Sequence, residues 1–138
     1  MQPAIDPITI LVVEDEILIR MSAIATLQDA GFSVLEAQNS AEALEILARH
    51  PEVTIMLTDV RMPGLMDGLA LIAQVRSDRP NIRSIVVSGH TSAVQASDAG
   101  ATGFLPKPYM AHTMVQAVHD TVVAFLAGGA GVRLWARG

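Results

Sequence analysis

Five short apolar runs rich in β-branched residues alternate along the chain with segments whose apolar residues recur at helical spacing. The runs fall at residues 8–13, 34–37, 53–58, 82–87 and 103–105. The first, residues 8–13, is continuous in apolar and β-branched residues, as expected for a central parallel strand covered on both faces. Between the first two runs, Leu18, Met21, Ala25 and Gln28 form a helical stripe over residues 16–30, with Ile17, Ile24 and Leu27 beside it. Gly31 is the expected stop. Ser40 is the expected N-cap of a second helix reaching about His50, with acid in its first turn and Pro51 closing it. A third helix is expected over residues 69–77, through Leu69, Ile72, Ala73 and Arg76. Residues 91–99 leave room for only a short fourth before Gly100, and a long apolar fifth spans 109–127, ended by Gly128-Gly129. Five such βα repeats predict right-handed crossovers and a doubly wound α/β sheet with helices on both faces. The expected strand order is 2-1-3-4-5.

Composition narrows the classes. With 138 residues, one domain is expected, over residues 8–127, flanked by tails 1–7 and 128–138. No apolar run approaches the ~18 residues of a membrane span, and the N-terminus lacks a basic-then-apolar leader pattern. With no cysteine at all, disulfides and thiolate metal sites are excluded, and a cytoplasmic location is expected. A net charge of −5 and a pI near 5.2, with basic residues scattered, argue against a nucleic-acid surface.

Candidate chemistry sits at the strand ends. Glu14-Asp15 follow the first run, Asp59 the third, Ser88 the fourth and Lys107 the fifth. In an open parallel sheet these ends share one edge, where ligands bind. Two like charges ~4 Å apart cost about 4 kcal/mol near a protein surface, so three clustered acids call for a cation. An all-oxygen set beside a phosphate suits Mg2+. Taken singly, each residue has a plainer reading. Glu14-Asp15 suit a helix N-terminus, Lys107 a solvated loop and Ser88 a turn. Their convergence on one edge is what those readings leave unexplained. A carboxylate such as Asp59 can attack phosphorus to form an acyl phosphate, and a lysine can neutralise the transferring oxygens. Lys107, between Pro106 and Pro108, is stiffly presented, and the Lys107-Pro108 bond is a candidate cis peptide.

These pieces together resemble the receiver domain of bacterial two-component response regulators, whose fold is flavodoxin-like. The resemblance rests on Val12-Val-Glu-Asp15, Leu57-Thr-Asp-Val-Arg-Met-Pro-Gly64, Met66-Asp-Gly68, Val86-Val-Ser-Gly89 and Gly100-Ala-Thr-Gly-Phe-Leu-Pro-Lys-Pro108, in that order. It implies that Asp59 takes a phosphoryl group from the phosphohistidine of a sensor histidine kinase or phosphotransfer protein. It implies Mg2+ held by Asp15, Asp59 and the Arg61 backbone carbonyl, with Glu14 acting through water. Lys107 would contact the phosphoryl oxygens, Ser88 would be the switch hydroxyl, and Phe104 the aromatic that moves with it. Arg61 and His90, two positions after Asp59 and Ser88, are candidates for tuning phosphate lifetime. Such a domain catalyses only its own phosphorylation and dephosphorylation. With no output domain attached, its expected output is contact with a protein target still to be identified, with a homodimer possible. A relay shuttle or a phosphate sink are the alternatives.

The chain departs from that family in three places. The loop after Asp59 is one residue longer than the commoner form. The 19-residue separation of Ser88 and Lys107 is about two or three shorter, which truncates the fourth helix and puts any interface inferred by analogy in doubt. Phe104 lacks a phenol, so its movement would be read through packing. A phosphohydrolase of the haloacid dehalogenase type is the main competing class. It would need a second acid where Arg61 stands, and a cap domain. A flavin-binding module is weaker still, because no Ser/Thr-rich phosphate loop follows the first strand. His50, His112 and His119 are read as surface or packing residues. The last helix carries more apolar surface than one face needs, through Met110, Met114, Val115, Val118, Val122 and Phe125, which hints at a partner face. Trp135 in the tail either docks back or frays.

Overall fold

Strand and helix alternate through the whole computed structural model, which describes residues 7–126. Residues 1–6 and 127–138 lie outside the described residues, and with them Trp135, the Gly128-Gly129 stop and nearly all of both expected tails. In chain order the elements are β1 (Thr9–Val13), α1 (Ile17–Asp29), β2 (Ser33–Ala37), α2 (Ser40–Arg49) and β3 (Val53–Asp59). There follow α3 (Gly68–Asp78), β4 (Arg83–Ser88), α4 (Ala93–Ala99), β5 (Gly103–Pro106) and α5 (Ala111–Leu126). The five strands pair in parallel in the order β2-β1-β3-β4-β5, as the pattern predicts.

Two buried clusters explain why the central strands are mostly apolar on both faces. Ile10 and Val12 of β1 point to one face with Ile55, Leu57, Ile85 and Leu105, beneath Ala23 and Leu27 of α1 and Met114 and Val118 of α5. Leu11 and Val13 point to the other with Met56 and Val86, beneath Ala43 and Leu47 of α2, Leu71, Ile72 and Val75 of α3, and Ala96 of α4. Alternate residues of each central strand are thus apolar for different helical layers.

Three local expectations are corrected. The stripe Leu18, Met21, Ala25 and Gln28 faces solvent, with Leu18 78% exposed. The inward face is Arg20, Ala23 and Leu27. α1 carries apolar residues on every side, so hydrophobicity alone does not choose its buried face. Asn39, not Ser40, caps α2, its side chain accepting from the Glu42 N–H at 2.8 Å. Ser40 instead donates to the Met66 carbonyl at 2.9 Å, bracing the loop after β3. The last helix starts at Ala111, two residues past the expected Tyr109. On it Met114 and Val118 are buried and Val123 is mostly exposed, as is Met110 just before its start.

The short fourth helix has seven residues, opened by a reciprocal capping box between Ser92 and Gln95 and closed by Gly100 at φ 106°. The Lys107-Pro108 peptide is cis.

Candidate functional site

The C-terminal ends of β1, β3, β4 and β5 deliver their polar residues to one edge, because parallel strands in register end together. Thr58 and Asp59 of β3 pair with Val86 and Val87 of β4, and Ser88 pairs with Pro106 of β5. A cleft of about 400 Å³ opens there, lined by Asp15, Glu16, Asp59, Arg61, Ser88, Gly89, His90 and Lys107. A neighbouring cleft of about 470 Å³ runs from Asp15 over Arg61, Met62 and Pro63 to Asp67.

Asp59 sits at the floor with its side chain 13% exposed. Its Oδ1 accepts from the Val60 N–H at 2.7 Å and its Oδ2 from Lys107 Nζ at 3.0 Å. The same ammonium lies 3.3 Å from Glu14 Oε1. Lys107 thus bridges two carboxylates contributed by different strands. Burial works against its charge, yet the Asp59 hydrogen bond and the charges of Asp59 and Glu14 hold its pKa above the usual lysine value. Glu14 is buried, and its Oε2 accepts from the Glu16 N–H at 3.3 Å. Burial and then the Asp59 charge push its carboxyl up to about 7, against the pull of Lys107. Asp15 is exposed at the cleft mouth. One carboxylate oxygen each from Glu14, Asp15 and Asp59 lies within 4.8 Å of the others. This all-oxygen acidic cluster is of the kind that holds a hard divalent cation.

The backbone around Asp59 is tightly held. The Thr58 hydroxyl donates to the Asp59 carbonyl at 2.8 Å, and the Gly68 N–H donates to the Val60 carbonyl at 2.8 Å. A Cβ on Gly68 would overlap the Asp59 carbonyl oxygen, so only glycine fits where α3 begins against the end of β3. Asp67 caps that helix, accepting from the Ala70 N–H at 2.9 Å.

Ser88 is buried. Its Oγ accepts from the N–H groups of His90 and Thr91, each at 3.1 Å, and its carbonyl accepts from the Lys107 N–H at 3.0 Å. Both lone pairs being engaged, the hydroxyl proton is the part left to offer a ligand in the cleft. Arg61 and His90 are exposed, and both line the cleft. Of the residues singled out from sequence for the site, two line neither cleft: Glu14, which joins it through Lys107, and Phe104. Phe104 is half-buried on β5, opposite Val86, against the cluster under α3 and α4. The sequence reading held Gly68 only as part of a motif, with no role, and missed Arg20. For Gly68 the signal is the Asp-Gly step before a helix. For Arg20 it is the i, i+3, i+7 series it makes with Ala23 and Leu27.

The model of the response regulator receiver domain matches residues 10–119, and the chain belongs to that family. It is 40% identical over 116 residues to the sensor kinase CckA of Brucella abortus, a match covering 81% of this chain and 12% of that protein. It is 41% identical over 102 residues to the DNA-binding transcriptional regulator NtrC of Escherichia coli K12, covering 71% of this chain and 21% of that one. The chain therefore spans only a small part of these curated relatives. Among solved structures, the CheY-like receiver domain protein of Methanospirillum hungatei superposes with a TM-score of 0.82 at 25% identity, over 90% of this chain and all of that one.

Proposed function

We propose that this receiver domain accepts a phosphoryl group on Asp59 from the phosphohistidine of a sensor histidine kinase or phosphotransfer protein, and signals through phosphorylation-dependent protein contacts. The observation that carries the reading is the Asp59 carboxylate at the cleft floor, 3.0 Å from Lys107 Nζ and clustered with the carboxylates of Glu14 and Asp15. In the transfer, an Asp59 oxygen forms a bond to phosphorus as the N–P bond of the donor breaks. With the other ring nitrogen of the phosphohistidine already protonated, the electron pair of the N–P bond returns to the ring, which leaves as neutral imidazole.

The oxygen donors fit Mg2+. Asp15, Asp59 and the Arg61 carbonyl would hold it directly, and Glu14 through water. When bound, the ion neutralises charge on the phosphoryl oxygens and orients them. Lys107 serves the same oxygens from the β5 side by leaving its ion pair with Asp59. Ser88 donates its free hydroxyl proton to a phosphoryl oxygen. Because its Oγ also holds the His90 and Thr91 amides, any shift of Ser88 moves the loop that starts α4. Phe104, packed on the same side, is the aromatic through which that movement reaches the surface.

The test is treatment with acetyl phosphate, or with beryllofluoride, in the presence of Mg2+. With acetyl phosphate, intact mass should gain one phosphoryl group in the wild type and none in Asp59→Asn, and with either reagent size-exclusion chromatography reads the oligomeric state. A wild type left unmodified by phosphodonors, or an Asp59→Asn variant modified equally, refutes the assignment. Capture of a partner by the beryllofluoride-treated form alone supports a regulator with its own target over a shuttle or sink.

A further inference from the structure

Arg20 is the only buried basic side chain among the described residues. Burying a guanidinium is unfavourable unless it is paired and hydrogen-bonded. Two acceptors meet it. Nε donates to Glu36 Oε1 on β2 at 3.0 Å, and Nη1 donates to the Glu14 carbonyl at 2.8 Å. The second contact is a buried one and falls on the peptide that joins Glu14 to Asp15. On the other side of Glu14, its own N–H donates to the Ala37 carbonyl at 3.0 Å. Glu14 is thereby gripped through both of its backbone groups, one by β2 directly and one by α1 through Arg20. Glu36 and Ala37 are neighbours on β2, in register with Val12 and Val13 of β1, so both grips are anchored in the sheet.

We infer that Arg20 is a positioning residue for the acid cluster: it clamps the Glu14 carbonyl and so fixes the turn that presents Glu14 and Asp15 to a divalent cation. The inference rests on the proposed metal-binding reading of that cluster. Arg20 touches none of the cluster carboxylates. It acts through the Glu14–Asp15 peptide plane, whose rotation would swing the Asp15 side chain away from Asp59. Glu36 holds the guanidinium in place from the far side. Its carboxylate is largely solvent-exposed and lies well outside the cleft lining.

Calorimetric Mg2+ titration of the full chain at a temperature well below melting tests the clamp. Arg20→Gln should bind Mg2+ roughly tenfold more weakly or worse, the usual range for losing a residue behind the ligands. Glu36→Ala, which frees the guanidinium to swing, should weaken binding about fivefold, and Glu36→Gln, which keeps an acceptor, should restore it to within about twofold. A purely structural role would lower the melting temperature of the variants and leave Mg2+ affinity of the folded fraction unchanged. Folded Arg20→Gln binding within about twofold of wild type overturns the inference; where that variant does not fold, Glu36→Ala binding within about twofold overturns it. Wild-type protein that binds no Mg2+ overturns the metal reading itself, a result distinct from variants that match a binding wild type.

Discussion

Glu14 should make the metal-free protein lose stability as pH rises toward neutrality, the reverse of the usual carboxylate behaviour. Its folded-state pKa is pushed up to about 7 by burial and by Asp59, from an ordinary value of 4.5. The folded protein therefore holds this proton more tightly than the unfolded chain does. The resulting stabilisation is complete below about 4.5 and is lost as pH climbs through about 7. A shift of that size is worth roughly 3 kcal/mol, a sizeable share of the ~5–15 kcal/mol that holds a domain folded. Glu14→Gln removes the titration and keeps an oxygen that can accept from the Glu16 N–H.

Urea unfolding in EDTA, followed by circular dichroism from about pH 5 to about pH 8, should show the wild type losing roughly 2–3 kcal/mol relative to Glu14→Gln. Carboxylates outside the cluster are common to both proteins, so their contribution cancels. Lys107 does not confound the window, because its raised pKa costs stability only above the ordinary 10.5. Saturating Mg2+ should narrow the gap, since the ion favours the carboxylate, and its binding near pH 6 should release protons into the buffer. Unfolding curves that stay parallel within about 0.5 kcal/mol across the range would refute the burial argument for Glu14.

Gly68→Ala should cost about 2–3 kcal/mol in urea unfolding, because main chain must yield on both sides of the new Cβ. Gly89→Ala should be within about 0.5 kcal/mol of wild type, since its Cβ meets only Lys107 atoms at 3.7 Å and beyond. A loss under about 1 kcal/mol for Gly68→Ala would mean that the β3 end is not rigidly held. Ser88→Ala strips the acceptor from the His90 and Thr91 amides and should cost about 1–2 kcal/mol, with faster hydrogen exchange at both. Ser88→Thr should restore most of it, and unchanged exchange in Ser88→Ala would remove this coupling. Arg61→Asn should shorten the acyl-phosphate lifetime about two- to fivefold, the rate equivalent of an exposed ion pair. A lifetime equal to wild type would show that Arg61 neither shields nor pairs with the phosphate.

What was legible in the sequence and what was not divide along one physical line. β1, β3 and β4 are covered on both faces, so each reads as a mostly apolar, β-branched run, and the polar residue that ends it stands out. Asp59, Ser88, Lys107 and the Glu14-Asp15 pair were found that way, and their convergence follows from parallel register alone. α1 gives no such contrast. Ile17, Leu18 and Met21 are all more than half exposed, while an arginine turns inward, so a count of apolar positions selects the wrong face. Ser40 and Asn39 are adjacent and equally able to cap α2. The choice is made by the Met66 carbonyl, 26 residues along the chain, which takes the serine. Arg20 is likewise turned inward by Glu36, 16 residues away, and Gly68 is required by the carbonyl of Asp59. In each case the deciding partner is distant in sequence, usually a backbone group, and carries no side-chain signature. These same contacts brace the turns around Glu14 and Asp59. The residues that would do the chemistry are thus written locally at strand ends, whereas the rigidity that sets their spacing is written in long-range pairs, and substitutions there should disturb the cluster without touching any of its carboxylates.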